Sequence, residues 1–258
     1  MNAYQDDCYA LSCDQRGVAR LELRSGKANI LGWAEIRSLS RAIHALRDIA
    51  GLRCLVILGR QHVFIGGANI KDMLELEPES AQAFIRELAA LCDSVRELPV
   101  PVIAQVQGWC LGAGVEFIAA CDIRIAADAR FAMPEVRLGL PSVIHAALLP
   151  RQIGAGRARA WLLSGQTIDA AKALSWGLLD EVVEAEELDA AVENAVAGLL
   201  QCPAHALRIQ KTLCNAWDES ASLADNIALT VPAFGATFHY PEARQAMRDF
   251  LGRNKERS

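Results

Sequence analysis

The 258-residue sequence lacks several features, and each absence removes a class of protein. Its eight cysteines form no Cys-x-x-Cys pair and its five histidines show no zinc-finger spacing, so no metal site is expected. Cys54, Cys92, Cys110 and Cys121 sit in apolar strings, where cysteine serves as a small buried hydrophobe. That usage points to a reducing compartment, and the expected location is cytoplasmic. Basic residues are not in excess. Against 31 Asp and Glu there are 26 Lys and Arg, a net charge of −5, which argues against nucleic acid or an anionic membrane as a partner. The longest uncharged run, residues 98–115, is interrupted by Pro99, Pro101, Gly108, Gly112 and Gly114, so it is not a membrane span. Residues 1–7 carry two acids and no base, and no long apolar stretch follows, so no secretory signal is expected. With 52% hydrophobic and 22% charged residues, disorder is excluded, and the length suits one large domain or a domain with an appendage.

What is present is an alternation of element types. Residues 18–23 alternate apolar and charged side chains, as a half-buried strand does. Residues 33–50 place Ile36, Leu39, Ile43 and Leu46 at helical spacing, and Gly51 closes the helix. Residues 55–58 are wholly apolar, the mark of a strand covered on both faces. A glycine-containing loop follows at 61–72. Residues 81–95 return to helical period through Phe84, Ile85, Leu88, Leu91 and Val95, and Pro99 and Pro101 end the run. Residues 102–106 and 123–127 read as buried strands, separated by a glycine-rich stretch at 108–114 and a helix at 115–121. This order predicts an α/β protein with crossover connections. From about Pro203 onward the pattern is mostly helical.

Three segments have the makings of a site. Phe64-Ile65-Gly66-Gly67-Ala68-Asn69-Ile70-Lys71 follows a buried strand, where α/β proteins bind ligands and glycines admit close backbone approach. On its own it reads as a plain turn. Gly108-Trp109-Cys110-Leu111-Gly112-Ala113-Gly114-Val115-Glu116 opens a helix whose first N–H groups have no internal partner and can hold developing negative charge. It is not a Walker loop, and it lacks the third glycine of a dinucleotide fingerprint. Glu116 there also suits the simple role of complementing the helix dipole. The third segment is Met133-Pro134-Glu135-Val136-Arg137-Leu138-Gly139-Leu140-Pro141. One strand separates Glu135 from Glu116, so the two carboxylates can converge on one cleft and divide acid and base roles. The plainer alternative is a surface acid paired with Arg137. The five histidines form no Ser/His/Asp pattern.

Together the segments resemble the crotonase superfamily, also called the enoyl-CoA hydratase/isomerase family. Gly67-Ala68-Asn69-Ile70-Lys71-Asp72-Met73 is similar to the family's Gly-Ala-Asp-Ile-Lys-Glu-Met segment. Pro101-Val102-Ile103-Ala104 through Cys121-Asp122-Ile123 resembles its Pro-Val-Ile-Ala … Gly-Gly-Gly-x-Glu … Cys-Asp-Ile block, and residues 131–139 its Phe-x-x-Pro-Glu-x-x-x-Gly segment. Leu163-Ser164-Gly165, residues 173–178, and Phe234, Phe238, Met247 and Phe250 extend the likeness toward the C-terminus.

The resemblance implies an α/β fold, a spiral of ββα units over residues 1–200 that holds a CoA-thioester site. Residues 201–258 would be a helical oligomerisation region, and the assembly a homotrimer or dimer of trimers. It implies an enoyl-CoA hydratase that adds water syn across a trans-2-enoyl-CoA, with Glu116 and Glu135 as catalytic residues. The backbone N–H groups of Ala68 and Ala113 would form the oxyanion hole, although Ala113 stands where relatives have glycine. Lys27, Ala28, Gly66, Ala68, Asn69, Ile70, Lys71, Trp109, Gly112, Pro134, Leu140, Ser142, His145, Phe234 and Phe250 would contact substrate or coenzyme A. Lys27 and Lys71, with Arg253 or Lys255, would hold its phosphates. Coenzyme A enters as part of the substrate, so no separate cofactor is expected. Isomerases of the family generally keep only the second glutamate, so Glu116 favours hydration. Isomerisation, dehydration of a hydroxyacyl-CoA, thioester hydrolysis and a non-catalytic role remain as alternatives. An RNA-binding role, known for one branch, would need a basic helix face, and the densest stretch, residues 151–159, has only three arginines. The sequence departs from the family at residues 141–146, where Pro-Ser-Val-Ile-His-Ala replaces Pro-Gly-x-Gly-Gly-Thr. Val143, Ile144 and His145 are expected to reshape the acyl side of the pocket, or else to pack the core at a helix start. Asn69 replaces the family's aspartate.

Overall fold

The computed structural model describes residues 4–60, 62–219 and 222–255. Strands β1 (Tyr4–Asp6), β2 (Tyr9–Cys13) and β3 (Val18–Leu23) form an antiparallel meander. Helix α1 (Trp33–Leu46) crosses to β4 (Cys54–Leu58), which pairs parallel with β3. Then come β5 (Val63–Ile65), the short α2 (Ile70–Leu74), the long α3 (Pro78–Arg96), β6 (Val102–Leu111), α4 (Ala113–Ala119) and β7 (Ile123–Ala132). After two 3-10 turns follow α5 (Leu149–Gln152), α6 (Ala155–Ser164), β8 (Thr167–Asp169), α7 (Ala170–Trp176), β9 (Glu181–Val182) and α8 (Leu188–Gln201). The chain then runs through α9 (Ala204–Glu219), α10 (Leu223–Thr237) and α11 (Pro241–Lys255). Among the described residues no helix is long and apolar enough to cross a membrane.

β6 and β7 are the frame of the site. They are parallel neighbours of ten residues each, paired from Ile103 to Leu111 of β6. β6 pairs with β4 along its first half and with β5 near its end. β7 likewise pairs first with β9 and then with β8. Each long strand thus changes partner along its length within one sheet. The β6–β7 ladder is irregular at one point. Gln107 faces Ala127, but Gly108 faces Ala129, so Asp128 is an extra residue, left-handed at φ 45°. Opposite it Gly108 has φ +73° and passes so close to His62 that a β-carbon would overlap its carbonyl.

Both long strands outrun the apolar runs that announce them. β6 continues through the glycine-rich stretch because Trp109 and Cys110 keep their ladder with Arg130 and Phe131. β7 changes pattern midway: residues 124–127 are buried throughout, whereas Asp128 and Arg130 are exposed between buried Ala129 and Phe131. The segment at 61–72, expected as loop, contains β5 and the start of α2.

β4 is covered on both faces, as its apolar run predicts. Leu55 and Ile57 join a main core with α1, α3 and α4, while Cys54 and Val56 join a second core with α8. Trp33 and Phe84 lock α1 to α3, edge to face at 5.1 Å.

Candidate active site

Two parallel strands bring the two glutamates together. α4 leaves the end of β6 with Glu116 in its first turn. The 3-10 turn Glu135–Leu138 leaves the end of β7 with Glu135 at its start. Because β6 and β7 run the same way, both turns lie at the carboxyl ends of neighbouring strands.

All seven residues of α4 are buried, and Glu116 is only 4% exposed. Burial first, and the Glu135 carboxylate second, push its pKa up to about 8, partly offset by hydrogen bonds from the backbone of Ala146 and Val143. Glu135 is half-buried and fixed from two sides. Ser142 Oγ donates to its Oε2 at 2.9 Å. Its Oε1 packs over Gly112, whose φ of +51° and lack of a β-carbon are both required, since a β-carbon would overlap that oxygen. Arg137 is not its partner: Arg137 Nε donates to the Ser164 carbonyl at 3.1 Å.

A raised carboxyl pKa has a stability consequence with a definite sign. The folded state holds the Glu116 proton more tightly than the unfolded chain. Stability is therefore greatest below the ordinary glutamate value of 4.5 and declines as pH rises to about 8. Glu116→Gln removes the decline. Relative to the native protein, its melting temperature should gain more at pH 9 than at pH 5, the difference corresponding to up to ~4 kcal/mol. Equal differences at both pH values would mean that the carboxyl is not held in an apolar site.

Both glutamates open on one cavity of about 460 Å³. Gly66, Ala68, Ile70, Gly112, Ala113, Pro134, Leu140 and Ser142 border it with them. The rest of the wall is apolar, with Met73, Leu76, Val143 and the α3 residues Phe84, Ile85 and Leu88. Two backbone N–H groups on this cavity lack partners. Leu31 straddles Ala68, donating to Gly67 O and accepting from Asn69 N–H, both at 2.9 Å. The Ala68 N–H therefore turns away from Leu31 and has no acceptor among the described residues. Ala113 is the first residue of α4, so its N–H has no acceptor within the helix. A wider cavity of about 800 Å³ lies between α1, α9 and α11, and neither glutamate borders it.

Comparison with known proteins settles the affiliation. The enoyl-CoA hydratase/isomerase family model matches residues 14–257. The chain belongs to the enoyl-CoA hydratase/isomerase family. It is 33% identical over 241 residues to the probable enoyl-CoA hydratase echA8 of Mycobacterium bovis, covering 92% of each chain. The crystal structure of an enoyl-CoA hydratase from Mycobacterium smegmatis superposes with a TM-score of 0.92 at 27% identity, over 96% of this chain and 97% of that one. An enoyl-CoA hydratase from Bacillus anthracis gives 0.90 at 25% identity, over 95% and 96%. The fold is therefore that of the crotonase superfamily, and the chain is an enzyme of the hydro-lyase family these relatives represent.

Around this cavity, the remaining sequence-predicted residues divide into two groups. Gly66 N–H donates to Ala28 O at 2.9 Å, which sets Lys27 and Ala28 beside the Ala68 segment, and Lys27 and Lys71 are exposed. Asn69 caps α2, accepting from Lys71 N–H at 3.0 Å, so the departure from aspartate keeps a capping side chain. Three of the expected residues lie off this cavity. Trp109 is outside the cavity, under the Arg130 guanidinium, because its position on β6 points it to solvent. Phe234 is exposed on α10, edge-on to Phe238, and does not reach the cavity of its own chain. His145 faces away: it lies on the 3-10 turn Ile144–Leu148, and its Nε2 meets Asp93 Oδ1 of α3 at 3.1 Å. Of the three departing residues only Val143 borders the cavity, while Ile144 packs against the main core. The side chains of Phe250, Arg253 and Lys255 lie outside the described residues. The α3 wall was not anticipated. Phe84, Ile85 and Leu88 show in the sequence as a helix face, and that periodicity does not separate a core face from one that also lines a cavity.

Proposed function

We propose that this enzyme hydrates a trans-2-enoyl-CoA thioester by syn addition of water. The observation that carries the reading is the placement of Glu116 and Glu135 on one cavity with the unpartnered N–H of Ala68 and the first-turn N–H of Ala113. The thioester carbonyl accepts from the two N–H groups, which stabilise the enolate as electrons move onto its oxygen. A water lies between the carboxyl groups. In the reactive form Glu116 is the carboxylate of the pair, and it takes the water's proton as the oxygen bonds to the β-carbon. Glu135 gives its proton to the α-carbon. The pair thus carries one proton throughout, and the next bridging water returns it to Glu135.

Exposed Lys27 and Lys71, on adjoining segments, suit the coenzyme A phosphates as compact point charges. The coenzyme is part of the substrate, and the reaction needs no other cofactor. Leu223, Ile227, Val231 and Phe234 of α10, with Met247 and Leu251 of α11, form exposed apolar surface that suits burial between subunits of a homotrimer or dimer of trimers. Eight free cysteines, four of them buried, suit a cytoplasmic setting. The test is a panel of short, long and aromatic trans-2-enoyl-CoA thioesters, followed by loss of the conjugated-thioester absorbance. Turnover of at least one is expected, and an unchanged absorbance across the whole panel would overturn the reading.

A further inference from the structure

We propose that His145 is a positioning residue, clamped to Asp93 of α3 so that the left-handed turn at Ile144 keeps the backbone of Val143 and Ala146 against Glu116. The inference deepens the proposed reaction and rests on that reading for its effect on rate.

Three observations carry it. Ile144 has φ +37°, a conformation in which a β-branched side chain is strained. Something must hold the turn there, since neither a glycine nor a polar side chain occupies the position. The neighbouring His145 is 8% exposed, and its ring meets Asp93 Oδ1 at 3.1 Å, while Asp93 itself is half in solvent. His145 Nδ1 is buried with no partner among the described residues. A buried ring nitrogen without a partner is a cost, and the Asp93 contact on the opposite nitrogen is the polar tie that keeps the ring in place. Finally, the turn touches the chemistry. Val143 borders the same cavity as Glu116, the backbone of Val143 and Ala146, one on each side of the strained pair, lies close enough to favour the charged form of Glu116, and the Ala146 N–H donates to the Val143 carbonyl at 2.9 Å, which keeps the turn tight.

The charged groups around the clamp are few. Asp93 and Arg96 face His145 from α3, and Glu135 faces Glu116 from the turn after β7. Burial lowers the histidine pKa, so the ring is neutral at pH 7 and donates from Nε2 to the carboxylate. Releasing the ring lets Ile144 relax toward ordinary backbone angles, and the N–H groups then leave Glu116. Glu116 would remain buried but would lose the hydrogen bonds that favour its charged form.

The experiment titrates Glu116 directly, through the infrared carboxyl band that disappears in Glu116→Gln. In His145→Phe the Glu116 pKa should rise by about one to two units, because two backbone N–H groups withdraw and each lowers a carboxylate pKa by roughly one unit. Asp93→Ala, at a half-exposed position, should do the same without disturbing the core. Adding Ile144→Gly to either variant should return the pKa toward the native value, because glycine holds the turn without a clamp. With an accepted enoyl thioester, kcat should fall about tenfold in the single variants, with KM little changed, and recover with the glycine. An unchanged titration in both His145→Phe and Asp93→Ala overturns the proposal, as does a shift that Ile144→Gly fails to reverse. Because the titration needs no substrate, a shifted and rescued pKa in a protein that hydrates none of the thioesters would sink the proposed reaction and leave the clamp standing.

Discussion

Glu135→Gln and Glu116→Gln are each expected to lower the rate of hydration ~100- to 10,000-fold, the range typical of removing a positioned acid or base. The amide keeps the shape of the side chain, so the cavity and its water persist while proton transfer stops. In Glu135→Gln the Ser142 hydroxyl still finds an oxygen acceptor, so folding should change little. The loss should therefore appear in kcat, with KM within a few-fold of the native value. If only Glu135→Gln is affected, the first glutamate is not part of the chemistry and double-bond isomerisation becomes the better account. Native rates in both variants would remove the two-glutamate mechanism.

The second large effect comes from a backbone atom. Ala113→Pro deletes one N–H group and nothing polar besides. Proline is tolerated at the first position of a helix, where its fixed φ fits and the missing N–H had no partner in the helix. A loss of ~100- to 1,000-fold in kcat is expected, as for removal of one oxyanion-hole donor. Thermal stability should stay close to native. A folded variant with native kcat would show that the Ala113 N–H does not face the reacting carbonyl. The same change at Ala68 is a poorer test, because the flanking residues Gly67 and Asn69 bond to Leu31 and a proline would disturb that bridge.

The glutamate pair was legible because each acid stands beside residues with backbone requirements of their own. Gly112 must be glycine to let Glu135 approach, and that need marks the sequence. The unpartnered N–H of Ala113 follows from its place at a helix start, so it too can be read from spacing. The strand lengths were not legible. β6 and β7 pass from a two-sided apolar stretch to a half-exposed one, and the glycines of β6 look like a loop until the bulge at Asp128 is known. His145 shows a different limit. Its neighbour Ser142 does reach Glu135, but side chains on a tight turn fan out in several directions. Where His145 points is decided by Asp93, on a helix remote in sequence. The role of α3 as cavity wall was hidden for a related reason. Phe84 and Leu88 are buried as a core face would be, and only the position of α2 and the turn after β7 leaves space beside them.

Addition of water across a double bond conjugated to a thioester leaves a product that no other reaction of this site would form. The most direct measurement is mass spectrometry of the product formed from an accepted trans-2-enoyl-CoA in deuterium oxide enriched in heavy oxygen. The expected product is a 3-hydroxyacyl-CoA carrying one heavy oxygen on the β-carbon and one deuterium on the α-carbon, added to the same face. A product with a displaced double bond and no heavy oxygen, or free coenzyme A with the heavy oxygen in a carboxylate, would contradict hydration.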